Sequence, residues 1–253
     1  MVSKEQLYTL IHALPFAAHI RNIDTGKYII ANKAHAENYG FTEASIITDF
    51  SYDDKYHYRR NKLESLKGSL ILEDEHKAFI DLANMQADTS KQPLHFKICT
   101  LFPTGFIYAA NLKKIPLFDY QDKINAVLTF SEDITHSLDL LGLYHLYKKH
   151  YPIQQAIRQF LNYIKIAHYF HKLPTNQEVT TLLMLRYSTT SKYVARKLDI
   201  SYRTVEEYKA RLRNKLKVIN LDGLLLLLRM HFEKSVRTSD NQRSNIKLSE
   251  TNL

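Results

Sequence analysis

The 253-residue chain holds one cysteine and no tryptophan, with only six glycines and six prolines. A single thiol, Cys99, excludes an intrachain disulfide and any thiolate metal cluster within one chain. No apolar run approaches the roughly 18 residues needed to cross a bilayer; the longest, Leu224 to Leu228, is far too short. The opening MVSKEQLYTLIHAL lacks both a long apolar core and a small-residue cleavage site, which argues against secretion. These absences lead to the expectation of a cytoplasmic chain with no membrane partner. Glycine-rich phosphate loops, nucleophile elbows and paired catalytic carboxylates in a motif are also missing, so no enzyme is expected.

Positive charge is abundant but unevenly placed. Of the net +9, residues 1 to 136 account for −2, with 15 Lys/Arg against 17 Asp/Glu, and residues 137 to 253 for +11, with 20 against 9. Such asymmetry points the second half toward an anionic partner, either nucleic acid or an acidic membrane, without choosing between them. At this length two modest domains are the natural division.

From Phe16 onward, short β-like runs alternate with turn signals. FAAHIRN is followed by the turn Asp24 to Gly26 and by KYIIAN, Lys27 to Asn32, which reads as a hairpin. A helix over Lys33 to Tyr39 stops at Gly40. Residues 42 to 90 read as mostly helical. Three strands then follow, Leu94 to Phe102, Phe106 to Phe118 and Lys123 to Thr135, joined by turns short enough for antiparallel pairing. The pattern is α+β, with one antiparallel sheet covered by helices. Asp24 to Ser45 (DTGKYIIANKAHAENYGFTEAS) and Lys114 to Thr135 (KIPLFDYQDKINAVLTFSEDIT) resemble the entry and the finish of a PAS domain. The resemblance implies a five-stranded antiparallel sheet with helices, over residues 1 to 136, that senses a signal or mediates dimerisation. The long charged middle, Ser51 to Glu75, departs from the family pattern and leaves the ligand-side helices unassigned.

Residues 137 to 172 suit one or two linker helices meeting near Pro152. The stripe Ile153, Ile157, Phe160, Leu161, Ile164 and Ala167 or His168 needs a partner, either the N-terminal half or a second copy of the chain. Four helical pieces follow Leu173. Thr175 and Glu178 have capping-box spacing at the first, and Thr190 to Leu198 forms a short second. After three residues, DIS, a third helix begins with Ser201 placed to cap it. Two helices joined by so tight a turn suggest a helix-turn-helix. On a helix of 100° per residue, Val205, Tyr208, Leu212 and Leu216 fall within about 80° of arc, a packed face. Opposite stand Arg203, Glu207, Ala210 and Asn214, flanked by Glu206, Arg213, Thr204, Arg211 and Lys215. A small polar strip bordered by cations is what major-groove reading requires. The fourth helix, Leu221 to Phe232, is apolar on several sides and braces the unit or a dimer mate.

TNQE (Thr175 to Glu178), KYVARKLDIS (Lys192 to Ser201) and RTVEEYKARLRNKL (Arg203 to Leu216) resemble the entry, scaffold helix and recognition helix of the LuxR/GerE type of DNA-binding domain. The resemblance covers residues 173 to 234 and implies a four-helix all-α domain on double-stranded DNA in a homodimer. The DNA-binding residues it implies are Lys192, Ser201, Arg203, Thr204, Glu206, Glu207, Lys209, Ala210, Arg211, Arg213, Asn214 and Lys215. Three positions depart from the family: Ser188 and Asp199, where glycine is usual, and Glu206, where many members carry lysine. Aspartate tolerates the left-handed backbone, so the turn survives at Asp199. Glu206 either accepts from cytosine or repels phosphate. The other reading of the whole chain is a PAS-type ligand-binding adaptor whose basic half makes non-specific nucleic-acid or protein contacts.

The remaining constellations assign no site. His168 and His171, spaced three apart on an expected helix, have no companion carboxylates or thiols and read as a polar edge rather than a metal site. Cys99 lies in a β-like run and reads as a core residue. His19, Tyr28, Tyr39, His57 and Tyr58 are the candidates for lining a PAS cavity or holding a cofactor such as haem, with ordinary packing the expectation for each. The cofactor is unknown and a small-molecule ligand is open. Residues 235 to 253 are polar with few apolar anchors and are expected to be disordered.

Overall fold

The computed structural model describes residues 4–48 and 50–230. It divides into two compact units, Met1–Thr135 and His136–Leu253. The expected tail, 235 to 253, and the end of the fourth helix beyond 230 lie outside the described residues.

The first unit opens with helix α1 (Lys4–Ala13), strands β1 (Ala17–Asn22) and β2 (Tyr28–Ala31), and helix α2 (Lys33–Asn38). Helices α3 (Ala44–Thr48), α4 (Tyr52–Ser65) and α5 (Leu70–Thr89) follow, then strands β3 (Leu94–Leu101), β4 (Ile107–Phe118) and β5 (Ile124–Asp133). The sheet is antiparallel in the order β2-β1-β5-β4-β3, the five-stranded arrangement that the PAS resemblance implies. Glycine supplies the left-handed backbone at the two turns marked in the sequence, Gly26 (φ 68°) and Gly40 (φ 81°).

The sheet has two unlike faces. Ala18, Ile20, Ile30 and Ala126 pack with Ile11, Leu7 and Leu14 into one apolar cluster, so α1 closes that side. On the other side Ala31, Tyr39, Ile47, Phe102, Tyr108 and Ala110 form a second cluster beneath the helices, with Ile98 packed against it. Side chains alternate across a pleated sheet, and β3, at the edge, alternates between half-buried and exposed. Cys99 is exposed and is no core residue, because its neighbour Ile98 takes the helix-covered side and Cys99 therefore points the other way.

One buried side chain ties the start of this unit together. Asn32 caps α2 by accepting from the His35 N–H at 3.0 Å, and the same oxygen accepts from the Ala18 N–H at 3.0 Å. Its amide nitrogen donates to the carbonyls of Phe16 at 2.7 Å, Leu14 at 3.3 Å and Ile11 at 3.3 Å. The end of α1, the start of β1 and the start of α2 therefore share one residue, which satisfies backbone groups that burial removes from water.

A 3₁₀ turn (Thr135–Ser137) begins at the last residue of the first unit and leads into α6 (Leu140–His150) and α7 (Ile153–Tyr163) of the second. Next come α8 (Asn176–Tyr187), α9 (Ser191–Leu198), α10 (Tyr202–Lys215) and a last helix, α11, over 221–230. The break between α6 and α7 falls at Pro152, as the sequence suggests. Within its own unit most of the apolar stripe is covered: Ile157, Phe160 and Leu161 are buried, and α7 packs on α6 and α8, while Ile153 stays exposed. Tyr144 and Tyr147 stand against Phe160 with ring centroids 5.0 and 5.8 Å apart, and Tyr144 Oη donates to Asn176 Oδ1 at 3.0 Å. Aromatic side chains of α6 thus cover the stripe from within the unit. His168 and His171 do not share a helical face: the chain forms a short 3₁₀ turn at Ala167–Tyr169 and bends afterwards.

Replacing Asn32 with alanine is expected to destabilise the N-terminal unit by about 3 kcal/mol, since several buried backbone groups lose their partner at once. Asn32→Asp keeps the cap but loses the donors, and should fall between the two in urea unfolding of the full chain. An alanine variant within about 0.5 kcal/mol of the parent would contradict this role.

Candidate nucleic-acid interface and the cavity of the N-terminal unit

Helices α8, α9 and α10 pack mutually, with Val179, Leu182, Leu183, Val194, Val205 and Leu212 buried at their centre. The turn from α9 to α10 needs a left-handed residue, and Asp199 provides it at φ 52°, ψ 47°. Ser201 then starts α10, its Oγ accepting from the Thr204 N–H at 3.0 Å. These features fix the direction of α10.

A buried carboxylate fixes its far end. Glu178 is 1 % exposed and closes the capping box of α8 by accepting from the Thr175 N–H at 2.6 Å. Lys215, from the last turn of α10, reaches the same Glu178 Oε2 at 2.6 Å and the Leu173 carbonyl at 3.4 Å. Burial acts to raise the Glu178 carboxyl, but the Lys215 ammonium and the Thr175 N–H outweigh it and hold the group below the usual range. A short antiparallel bridge, Phe170 to Leu216, completes the clamp: the His171 N–H donates to the Lys215 carbonyl at 3.0 Å and the Lys217 N–H to the Tyr169 carbonyl at 3.0 Å. From α11, Arg229 donates to the carbonyls of Arg186 at 2.8 Å and Leu185 at 3.2 Å, satisfying the end of α8.

The expected reading residues separate into two groups. Arg203, Glu207, Ala210, Arg211, Arg213 and Asn214 lie on the outer side of α10, and Lys192 is exposed on α9. Along this strip Glu207 lies between Arg203 at 3.3 Å and Arg211 at 3.9 Å, so one carboxylate orients two guanidinium groups at successive turns. Arg203 itself is 90 % exposed. Ser201 and Thr204 sit at the tip, their hydroxyls 2.8 Å apart. Glu206, Lys209 and Lys215 belong instead to contacts inside the domain. Glu206 accepts from the Ser191 hydroxyl of α9 and from Lys209 at 3.0 Å, and Lys209 also donates to Ser191 at 3.0 Å. Hydrogen bonding from Ser191 and Lys209 holds the Glu206 carboxyl below its usual range. The position where the family commonly has lysine thus carries the carboxylate of a network bridging α9 and α10.

The helix-covered face of the sheet in the first unit contains a cavity of about 80 Å³. Its floor follows from strand register. His19 on β1 pairs with Thr129 on β5, which pairs with Lys114 on β4, placing three polar side chains in one row. Arg21 and Ser131 lie on the same face, where a buried sheet surface would otherwise be apolar. Its roof comes from α4 and α5, with Lys55, Arg59, Glu73 and Asn84 among the residues that line it. Arg59 grips Glu73 with two hydrogen bonds of 2.7 and 2.6 Å and also donates to Thr100 Oγ1 at 3.1 Å and the Leu101 carbonyl at 3.0 Å. Arg21 pairs with Asp88 at 2.5 Å. Of the five cavity candidates read from sequence, His19, Tyr28 and Tyr39 line it, whereas His57 and Tyr58 do not.

Burial dominates the electrostatics here. It pushes Lys55 well below its ordinary value, helped by the charges of Arg59, Lys114 and Arg21 and opposed by Glu73. Lys114 is brought down to about 7 by burial and by Arg21, against Asp88. His19 is lowered by burial, then by His35 and Lys55; His35 is lowered by burial, then by Lys55 and Lys114. Lys55, Arg59 and Lys114 are functional candidates that the sequence reading misses, although a signal exists for each. Lys55, Arg59 and Leu63 recur every four residues on α4, one helical stripe. Lys114 continues the inward alternation of Tyr108, Ala110 and Leu112 on β4.

Residues 174–228 match the family model described as bacterial regulatory proteins, luxR family. None of the curated proteins compared matches the chain. Among solved structures the chain is similar to VqmA of Vibrio cholerae in a ligand and DNA complex, at 19 % identity over 93 % of this chain and 90 % of that one, with a TM-score of 0.45. It is also similar to a phage VqmA bound to DPO, at 17 % identity over 88 % and 86 % with a TM-score of 0.41. The PAS domain of Bordetella pertussis BvgS is similar at 18 % identity, over 57 % of this chain and 96 % of that one, with a TM-score of 0.41.

Lys215→Met should cost about 3 kcal/mol in thermal unfolding of the full chain, because it strands a buried carboxylate; a loss below about 0.5 kcal/mol would show that the lysine is free for other work. The cavity predicts a pH dependence. Between about pH 7 and pH 10 the unfolded chain holds a proton on Lys114 that the folded chain releases, so folding stability rises with pH in this range. Lys55 acts in the same direction. The unfolding midpoint of the N-terminal unit is therefore expected to climb from about pH 7.5 to about pH 9.5, and Lys114→Met to reduce that slope; a slope unchanged by the substitution would refute the assignment.

Proposed function

We propose, from the premise that residues 174–228 belong to the luxR family of bacterial regulatory proteins, that the chain is a sequence-specific DNA-binding transcriptional regulator. Its PAS-like unit receives a small-molecule signal or mediates dimerisation. The observation that carries the reading is the outward face of α10. Val205 and Leu212 bury one side of this helix, which leaves Arg203, Glu207, Ala210 and Asn214 on the solvent side with Arg211 and Arg213 beside them.

Each residue has a role in this account. Arg211, Arg213 and Lys192 meet phosphates and supply affinity that weakens with salt. Arg203, aimed by Glu207, and Asn214 present hydrogen-bonding groups to base edges. Ala210 lets the helix approach the groove floor. Glu206, Lys209 and Lys215 contribute by holding the reading helix in place. One such helix spans few base pairs, so two chains on a repeated site provide the length of sequence that a promoter requires.

Selection of bound duplex from random sequence tests the reading. A common motif is expected for the parent chain. Arg203→Ala and Asn214→Ala should each relax selection at particular positions, with discrimination against the wrong base falling by about 1 to 3 kcal/mol there. Recovery of DNA with no shared motif would favour the adaptor with non-specific contacts and reject the regulator.

A further inference from the structure

The cavity of the N-terminal unit is lined by more basic side chains than there are carboxylates to pair with them. Arg59 occupies both oxygens of Glu73, Arg21 is paired with Asp88, and Lys77 with Asp81 at 2.7 Å. Two lysines remain. Among the described residues Lys114 Nζ donates to neutral acceptors, Asn84 Oδ1 at 2.7 Å and Thr129 Oγ1 at 3.4 Å, and to no carboxylate. Lys55 is 7 % exposed, and its Nζ lies over the rings of Tyr28 at 4.4 Å and Tyr39 at 5.2 Å, with no carboxylate in salt-bridge range among the described residues. Beside them His35 Nε2 is buried and has no hydrogen-bond partner among the described residues.

Without a counter-ion, burial drives these lysines toward the neutral amine, Lys55 well below its ordinary value and Lys114 to about 7. An anion seated beside them would restore their protons and add charge-assisted hydrogen bonds, a use for two buried lysines that methionine could not serve. The apolar part of the lining bounds its chemistry. Ile98, Phe102 and Leu112, of which Leu112 lies two residues from Lys114 on the same face of β4, offer no side-chain hydrogen bonds, which disfavours an anion that is polar all round, such as phosphate. Size bounds it further: about 80 Å³ is several times the roughly 10–15 Å³ that admits one water and well short of the roughly 150 Å³ that accommodates benzene.

We propose that this cavity binds a small organic monocarboxylate of about three to five heavy atoms, its carboxylate answering Lys55 and Lys114 and its short apolar body set against Phe102 and Leu112. The inference rests on reading the PAS-like unit as the receiver of a small-molecule signal, and it names the class of that signal.

Sodium propionate is the probe, titrated against the full chain at constant ionic strength while unfolding of the N-terminal unit is followed. A saturable rise in the midpoint is expected. Propionamide, of the same shape without charge, should give none, and inorganic phosphate should give less than a tenth of the propionate response. Lys55→Met should weaken propionate binding at least tenfold without lowering the midpoint of the unliganded protein, an outcome that a purely structural lysine would not produce. Lys114→Met, measured by calorimetric titration, is the second variant if the first fails to fold. Equal responses to propionate and propionamide, a response to phosphate alone, full retention of binding in the variants, or no response to any probe would overturn the proposal. DNA selection carried out without propionate is read separately, so failure here leaves the regulator reading intact, and failure there leaves the carboxylate site intact.

Discussion

A buried carboxylate answered by a cation is the constraint on which both units depend. In the first, the Arg59 and Glu73 pair joins α4 to α5, and through Thr100 and Leu101 it joins both to β3. In the second, Glu178 and Lys215 lock the end of α10 to the start of α8. Such pairs add little net stability over a well-packed apolar substitute, but a single geometry satisfies them and half a pair is expensive. Their contribution is to position. One pair sets the roof over the cavity and uses up its carboxylate; the other aims the helix whose outer face stays open.

This division explains why the charged residues of α10 do different work although they crowd one short segment. Helical phase alone places the far strip on the outside, because Val205 and Leu212 are buried. It does not show where the side chains of Lys209 and Lys215 end. Their long stems let the ammonium turn back toward the domain, to Ser191 with Glu206 and to Glu178, instead of outward. Phase places a Cβ; it does not place a charge at the end of a flexible stem.

Much of the fold is legible in the sequence for local reasons. Gly26 and Gly40 stand where left-handed backbone is required, Ser201 and Thr175 cap the helices they precede, and the last two strands alternate cleanly over much of their length. What stays hidden is long-range. The charged stretch Ser51 to Glu75 leaves the ligand-side helices unassigned in the sequence, because the partners of its buried Arg59 stand 14 to 42 residues away along the chain, and Lys55, Arg59 and Glu73 are buried although charged side chains are usually exposed. Likewise nothing in the stripe of α7 reveals that the tyrosines of α6 will cover it. A β-like run does not say which strand lies at the sheet edge, so Cys99 reads as interior although it is exposed.

The central claim is that the outward face of α10 enters a duplex. It is tested most directly by attaching a short photo-crosslinker through a cysteine at position 214, as Asn214→Cys in a Cys99→Ser background, with the native exposed Cys99 of the parent chain as the comparison point. On a duplex carrying the selected site, covalent adducts to bases at fixed positions are expected from 214 and none from 99. Equal labelling from both points, or no base adduct from 214 on a duplex the protein demonstrably binds, would contradict the account.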